Sequence, residues 1–170
     1  VKSSVKVAGG VGAAVLALAA YFAPSPSGVE LVKHHEGVRT QAYLDVAAVP
    51  TICYGSTRGV HLGQVATLAQ CEQRLKTDLT FAGEAVQKHT QRFITQGQYD
   101  ALVSFVFNFG ETKFRNSTLL RKLNAGDCYG AAREFDRWVY AGKPPKVYRG
   151  LVKRRADERR LFEAGCAAWR

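Results

Sequence analysis

No two of the four cysteines are spaced as Cys-x-x-Cys, so a cysteine-ligated zinc site is not indicated. The chain also has no zinc-finger pattern, no RNA-binding aromatic signature and no glycine-rich phosphate loop. Acids are scarce: 14 Asp and Glu stand against 24 Lys and Arg, leaving a net charge of +10. A surface of that sign favours polyanions, whether nucleic acid, anionic lipid or an acidic cell wall. The most basic run, KRRADERR, does not favour nucleic acid. Its Asp157 and Glu158 interleave at helical spacing with Arg154, Arg155, Arg159 and Arg160, the pattern of a salt-bridged helix face. No nucleic-acid partner, metal or cofactor is expected. There is no internal repeat and no long low-complexity linker. At 170 residues and 46% hydrophobic content, the chain suits one compact domain or two small lobes with a real core.

What the chain does have begins at its N-terminal end. Lys2 and Lys6 precede an uncharged stretch, Val7 to Val29, whose apolar part ends at Ala23. Those 17 residues reach the low end for a spanning helix. Ten are Ala or Gly and six are Val, Leu or Phe. The six contribute roughly −0.3 to −0.6 kcal/mol each to insertion, so the segment is a marginal anchor through residues 7–23. A signal peptide cut near Ala17 or Ala19 and a buried cytosolic helix are the alternatives. Cys53, Cys71, Cys128 and Cys166 fit either two disulfides in an oxidising compartment or four buried thiols.

Downstream, Ser27 and Glu30 have capping-box spacing, so a short helix is expected from there to Glu36. Residues 38–63, rich in β-branched residues, Tyr and Gly, read as a small antiparallel sheet with turns at Asp45–Val49 and Ser56–Gly59. Thr67 and Gln70 open a helix to about Lys88. Thr95 and Gln98 cap another from Gln98 to Phe109, apolar nearly all round and so the central buried helix. Ser117 starts a helix ending near Gly126. Asp127 caps the next, which ends before Gly142, and a last helical region spans about Tyr148 to Ala168. His34 and His35 lack the spacing of a zinc-protease helix and read as surface or cleft residues. Trp138 and Trp169 read as core.

The most telling stretch is HHEGVRTQAYLDVAAVPTICYG. Glu36 closes a helix at Gly37, Asp45 follows a short strand in a turn, and Thr51 opens the next strand. An acid, a carboxylate and a hydroxyl so presented suit glycoside hydrolysis: one carboxyl protonates the leaving oxygen and the other activates water or attacks carbon. Burial of Glu36 in a cleft favours its neutral form, while Asp45 stays ionised in a wetter turn and Thr51 holds a water against it. The motif Glu-Gly, Tyr-x-Asp and Thr-Ile-x-x-Gly resembles the catalytic segment of the phage-type lysozymes, glycoside hydrolase family 24. The likeness continues at VFNFGETKFRNSTLLRKLN, RWVYAGK and GLVKRR, from roughly Gly28 to Trp169.

The resemblance implies an α+β, lysozyme-like fold: a small antiparallel sheet lobe at about residues 37–66 and a larger helical lobe at about 90–170, after an N-terminal apolar helix. The chain then divides into a signal-anchor segment, 1–26, and a catalytic domain, 27–170. It further implies hydrolysis, with inversion, of the β-1,4 bond between N-acetylmuramic acid and N-acetylglucosamine in peptidoglycan, by a monomer needing no cofactor. Asn108 matches a cleft position facing Glu36, and Arg137 is a candidate for a peptide-stem carboxylate or a structural ion pair. Gly55 is placed for close backbone approach. Ser56 stands where many members carry histidine, so a contact made by that histidine is absent here. On this outline Cys53 pairs with Cys71 and Cys128 with Cys166, each within one lobe. A basic start and a weak Gly/Ala-rich span before such a domain resemble the signal-anchor-release endolysins, anchored in the bacterial inner membrane and later released to the periplasm. The alternative function is a catalytically inactive, membrane-anchored cell-wall-binding protein.

Overall fold

The computed structural model describes residues 23–45 and 47–169. The expected apolar helix and membrane span lie outside these residues, apart from Ala23. Among the described residues, no helix is long and apolar enough to cross a membrane.

Helix α1 spans Pro26–Glu36 and starts earlier than the Ser27/Glu30 spacing implies, because Ser25 caps it by accepting from the Gly28 amide. Proline at the first position suits a helix start, where its missing N–H is not needed. Glu30 pairs instead with Lys33 at 3.2 Å. The cap is tied to the core: the Ser25 amide donates to Asp100 Oδ1 at 3.0 Å and its hydroxyl to Oδ2 at 2.5 Å. Asp100 is buried, and a Cβ on Gly28 would lie 2.6 Å from its Cγ. Only glycine lets α1 approach that closely. The helix ends at Gly37, φ +65°, a backbone conformation glycine adopts readily.

Strands β1 (Arg39–Leu44) and β2 (Pro50–Cys53) pair antiparallel, with Tyr43 opposite Thr51 and Leu44 opposite Pro50. Gln41 also bridges Val65. Helix α2, Leu68–His89, and helix α3, Gln96–Phe109, both begin with complete capping boxes, Thr67/Gln70 and Thr95/Gln98. In α3 every residue from Gln98 to Val106 is buried, in keeping with a run that is apolar nearly all round. It packs against α1, α2 and the last long helix.

The short helix α4 (Glu111–Arg115) was not apparent from the spacing. Helices α5 (Thr118–Asn124) and α6 (Cys128–Glu134) follow, capped by Ser117 and Asp127. The α6 helix stops earlier than Gly142 because a 3₁₀ turn, Phe135–Arg137, buries Phe135 in the core. A two-stranded hairpin of β3 (Tyr140–Ala141) and β4 (Lys146–Val147) lies between α6 and the last helix, its first strand falling where the helix was expected to continue. Helix α7, Arg149–Ala164, ends in a 3₁₀ turn, Gly165–Trp169. Phe105 of α3 centres the aromatic core, with ring contacts to Phe109, Phe114, Phe135 and Trp138. Trp138 and Trp169 are partly buried against this core. Disulfides join Cys53 to Cys71 and Cys128 to Cys166, leaving no free thiol.

Candidate active site

Glu36 is the last residue of α1, and the glycine turn after it leaves its carboxyl at the edge between sheet and helices. The side chain is 19% exposed and forms an ion pair with Arg154 Nη1 of α7. On the sheet side, Gly55 sits at φ +88°, and a Cβ there would lie 3.3 Å from Glu36 Oε2. The Ile52–Ser56 bridge holds this turn in place. The absence of a Gly55 side chain thus leaves the carboxyl room toward the sheet.

Asp45 and Thr51 are organised by one turn. Asp45 Oδ1 accepts from the amides of Ala47 at 2.8 Å and Val49 at 2.9 Å, while its own amide donates to the Val49 carbonyl at 3.0 Å. Thr51, buried, donates its hydroxyl to the same carbonyl at 2.9 Å. That bond uses the hydroxyl proton and leaves lone pairs that can accept from a water. The turn therefore orients carboxylate and hydroxyl together.

Beneath Glu36 lies a buried charge cluster that changes the reading of the basic run. Arg154, Arg155 and Glu158 are nearly inaccessible rather than on a solvated face. Glu158 Oε1 accepts from Arg154 Nε at 3.1 Å, Arg155 Nη2 at 2.6 Å and Ser104 Oγ at 2.6 Å. Arg154 Nη2 also donates to the Ser104 carbonyl at 3.1 Å. Asp157, Arg159 and Arg160 make the salt bridges expected of a surface face. Burial drives the Arg155 guanidinium down to about 10, against the opposing pull of Glu158, so it remains charged at neutral pH. Asn108 Oδ1 accepts from Arg155 Nη1 at 3.3 Å, which links it to Glu36 through Arg155, Glu158 and Arg154. Arg137 lies apart on the 3₁₀ turn, 74% exposed and 3.7 Å from Glu134. The interleaved acids showed that ion pairs would form, but not that Arg154, Arg155 and Glu158 turn inward under Glu36.

A groove of about 510 Å³ runs from Gly55 along α2 and α3, lined among others by Ser56, Phe81, Lys88, Phe107 and Glu111. Its walls include none of Glu36, Asp45 and Thr51; Gly55 joins it to Glu36. Ser56 donates to Asp78 of α2 at 2.6 Å, so serine still ties the sheet to α2 there. His35 is not a surface residue: its side chain is 7% exposed. Burial, and then the charge of Arg154, hold its imidazole below the ordinary value.

A statistical description of the phage lysozyme family matches residues 33–158. The chain belongs to the phage lysozyme family. Its likeness to other lysozyme-family proteins extends over most of its length. The endolysin of Acyrthosiphon pisum secondary endosymbiont phage 1 is 42% identical over 82% of this chain and 97% of its own. The SAR-endolysin of Enterobacteria phage PA-2 is 37% identical over 91% of this chain and 92% of its own. The muramidase domain of SpmX from Asticaccaulis excentricus superposes with a TM-score of 0.78 at 38% identity, covering 82% of this chain and 96% of that one. The α+β architecture with a helical lobe and small antiparallel sheets is that of the lysozyme fold.

Proposed function

We propose that this phage lysozyme is an endolysin of the signal-anchor-release type that hydrolyses peptidoglycan for host-cell lysis. It cleaves the β-1,4 bond between N-acetylmuramic acid and N-acetylglucosamine. The observation that carries the reading is the placement of Glu36: a partly buried carboxyl at a helix end, braced by Arg154 and separated from the groove only by Gly55. Glu36, ion-paired with Arg154 in the resting structure, takes up a proton before donating it to the glycosidic oxygen. Arg154 then faces the carboxylate that is left and stabilises it, so the charge created in the transition state already has its partner. Asp45 and Thr51 hold a water on the opposite face of the sugar, and attack by that water inverts the anomeric centre. Asn108 and Arg137 are candidate contacts to substrate. The reaction needs no cofactor, and the enzyme acts as a monomer.

The anchor segment falls within residues 1–26 and the catalytic domain follows, the last residues of that stretch, Ser25 and Pro26, already forming the start of α1. The names of the SAR-endolysin relatives and the weak apolar run at 7–23 support an enzyme first held in the inner membrane and then released to the periplasm. Glu36 lies only 13 residues beyond Ala23. That short tether makes seating of α1, and so of Glu36, depend on extraction of the span. The ten Ala and Gly residues of the run keep the extraction cost low, and collapse of the membrane potential acts on the N-terminal charges as trigger.

The test is Glu36→Gln, which keeps size and hydrogen bonding but removes the proton donor. Folded protein with nearly all wall-clearing activity gone is the expected result, and near-normal clearing would sink the assignment. Asp45→Asn should be similarly severe, and Thr51 should tolerate Ser better than Val. For the release step, leucine at Gly9, Gly10 and Gly12 should retain folded protein in the membrane and delay lysis.

A further inference from the structure

Outside the catalytic constellation, the described residues hold a single cluster with the makings of a metal site: His34, His35 and Asp157, each offering one donor atom, all within 4.8 Å of one another. His35 Nε2 and Asp157 Oδ2 are 3.1 Å apart. Two ligands bound at about 2.0–2.1 Å in tetrahedral zinc stand roughly 3.3–3.4 Å apart, so this pair is at ligand spacing. By geometry His35 Nε2 is buried and makes no hydrogen bond, although it stands at ion-pair distance from Asp157. A buried nitrogen on a side chain 7% exposed, facing a carboxylate without a hydrogen bond to it, is a costly arrangement. A cation between the two would satisfy both.

We propose that His34, His35 and Asp157 bind a first-row divalent cation such as Zn²⁺ or Ni²⁺ and clamp the Glu36 helix to α7. Two imidazoles and a carboxylate suit these metals and not Mg²⁺ or Ca²⁺. The two rings already meet edge to face, with centroids 5.0 Å apart. Asp157 Oδ1 is held by Arg160 at 2.9 Å, which orients the other oxygen toward the histidines as an outer-shell partner does. The site lies in the last turn of α1, where the free carbonyl ends favour positive charge. Lys33, Arg154 and Arg160 oppose a cation there, and Asp157 and the α1 carbonyls offset them, so micromolar rather than tighter binding is expected. The three ligand atoms leave a coordination position open to water. All four cysteines are in disulfides, so no thiolate competes for the ion. The site does not depend on the proposed hydrolysis.

The test is titration of the full chain with Zn²⁺ followed by calorimetry, and with Co²⁺ followed by the visible absorption of a low-coordinate cobalt centre. His34 is exposed and Asp157 half-exposed, so His34→Gln and Asp157→Asn should fold. Wild type should bind one equivalent, with the cobalt band and a raised melting temperature. Each variant should lose about tenfold or more in affinity together with the band, whereas His61→Gln should retain both. Mg²⁺ should produce neither effect. Failure of wild type to bind Zn²⁺ below millimolar concentration, or equal binding by wild type and the two variants, would overturn the proposal.

Discussion

At the scale of single residues, Glu36 depends on two neighbours of opposite kind: a glycine that stays out of its way and an arginine that meets it. Gly55→Ala places a methyl 3.3 Å from Glu36 Oε2 on a backbone at φ +88°. The left-handed conformation alone costs an L-residue about 1–2 kcal/mol. The variant should therefore fold with a lower melting temperature and clear cell walls more slowly, as thermal melts and turbidity assays will show. Arg154 depends in turn on Glu158, which accepts from two guanidiniums and a serine in a site closed to water. Glu158→Ala leaves two buried cations without their shared carboxylate. Breaking such a cluster from one side costs about 3–5 kcal/mol, to be read from urea denaturation; a loss below about 1 kcal/mol would show that the guanidiniums find other partners. None of this is visible in KRRADERR itself. Helical spacing pairs Glu158 with Arg154 and Arg155, but it says nothing about which side of α7 faces Ser104.

At the scale of elements, α1 and the β1–β2 hairpin present the proposed chemistry, and both are held by caps and turns more than by length. The α1 cap lies at Ser25, where hydroxyl and amide both reach Asp100 on α3. Ser25→Ala removes the cap and one partner of a buried carboxylate, so a loss of about 1–2 kcal/mol is expected. Hydrogen exchange should quicken in the first turn of α1 before it does in α3. Sequence spacing placed this cap at Ser27, because Ser27 and Glu30 satisfy the local pattern. The contact that selects Ser25 comes from Asp100, far along the chain. By contrast, the boxes at Thr67 and Thr95 are complete within four residues and could be read directly. The hairpin turn was equally legible, since Asp45 bonds amides two and four residues on.

For the whole molecule, two disulfides span 18 and 38 residues and confine one region each. Replacing either pair by serine should lower stability by about 2–4 kcal/mol, and more for Cys128–Cys166, which closes the longer loop. Comparing the denaturation midpoints of the two double variants tests that order; equal or reversed losses would place the main effect in local packing around the sulfurs. The groove along α2 and α3 is likewise a property of the assembled molecule. It brings Ser56 of the sheet region beside Phe81 and Phe107 of two different helices, and no single segment contains it.

What the sequence determined alone is whatever rests on short range: the helix stop at Gly37, the turn holding Asp45 and Thr51, the two capping boxes, and the buried character of α3. Periodicity and local hydrogen bonding specify these within a few residues. The family could be read as well, because its motifs are contiguous. Only the tertiary structure decided the rest: that Asp100 sets the start of α1, that Arg154 and Arg155 turn inward, and that the His35 side chain packs against Asp157. Each joins residues distant in the chain, and burial of a charge is favourable only when its partner arrives from another element.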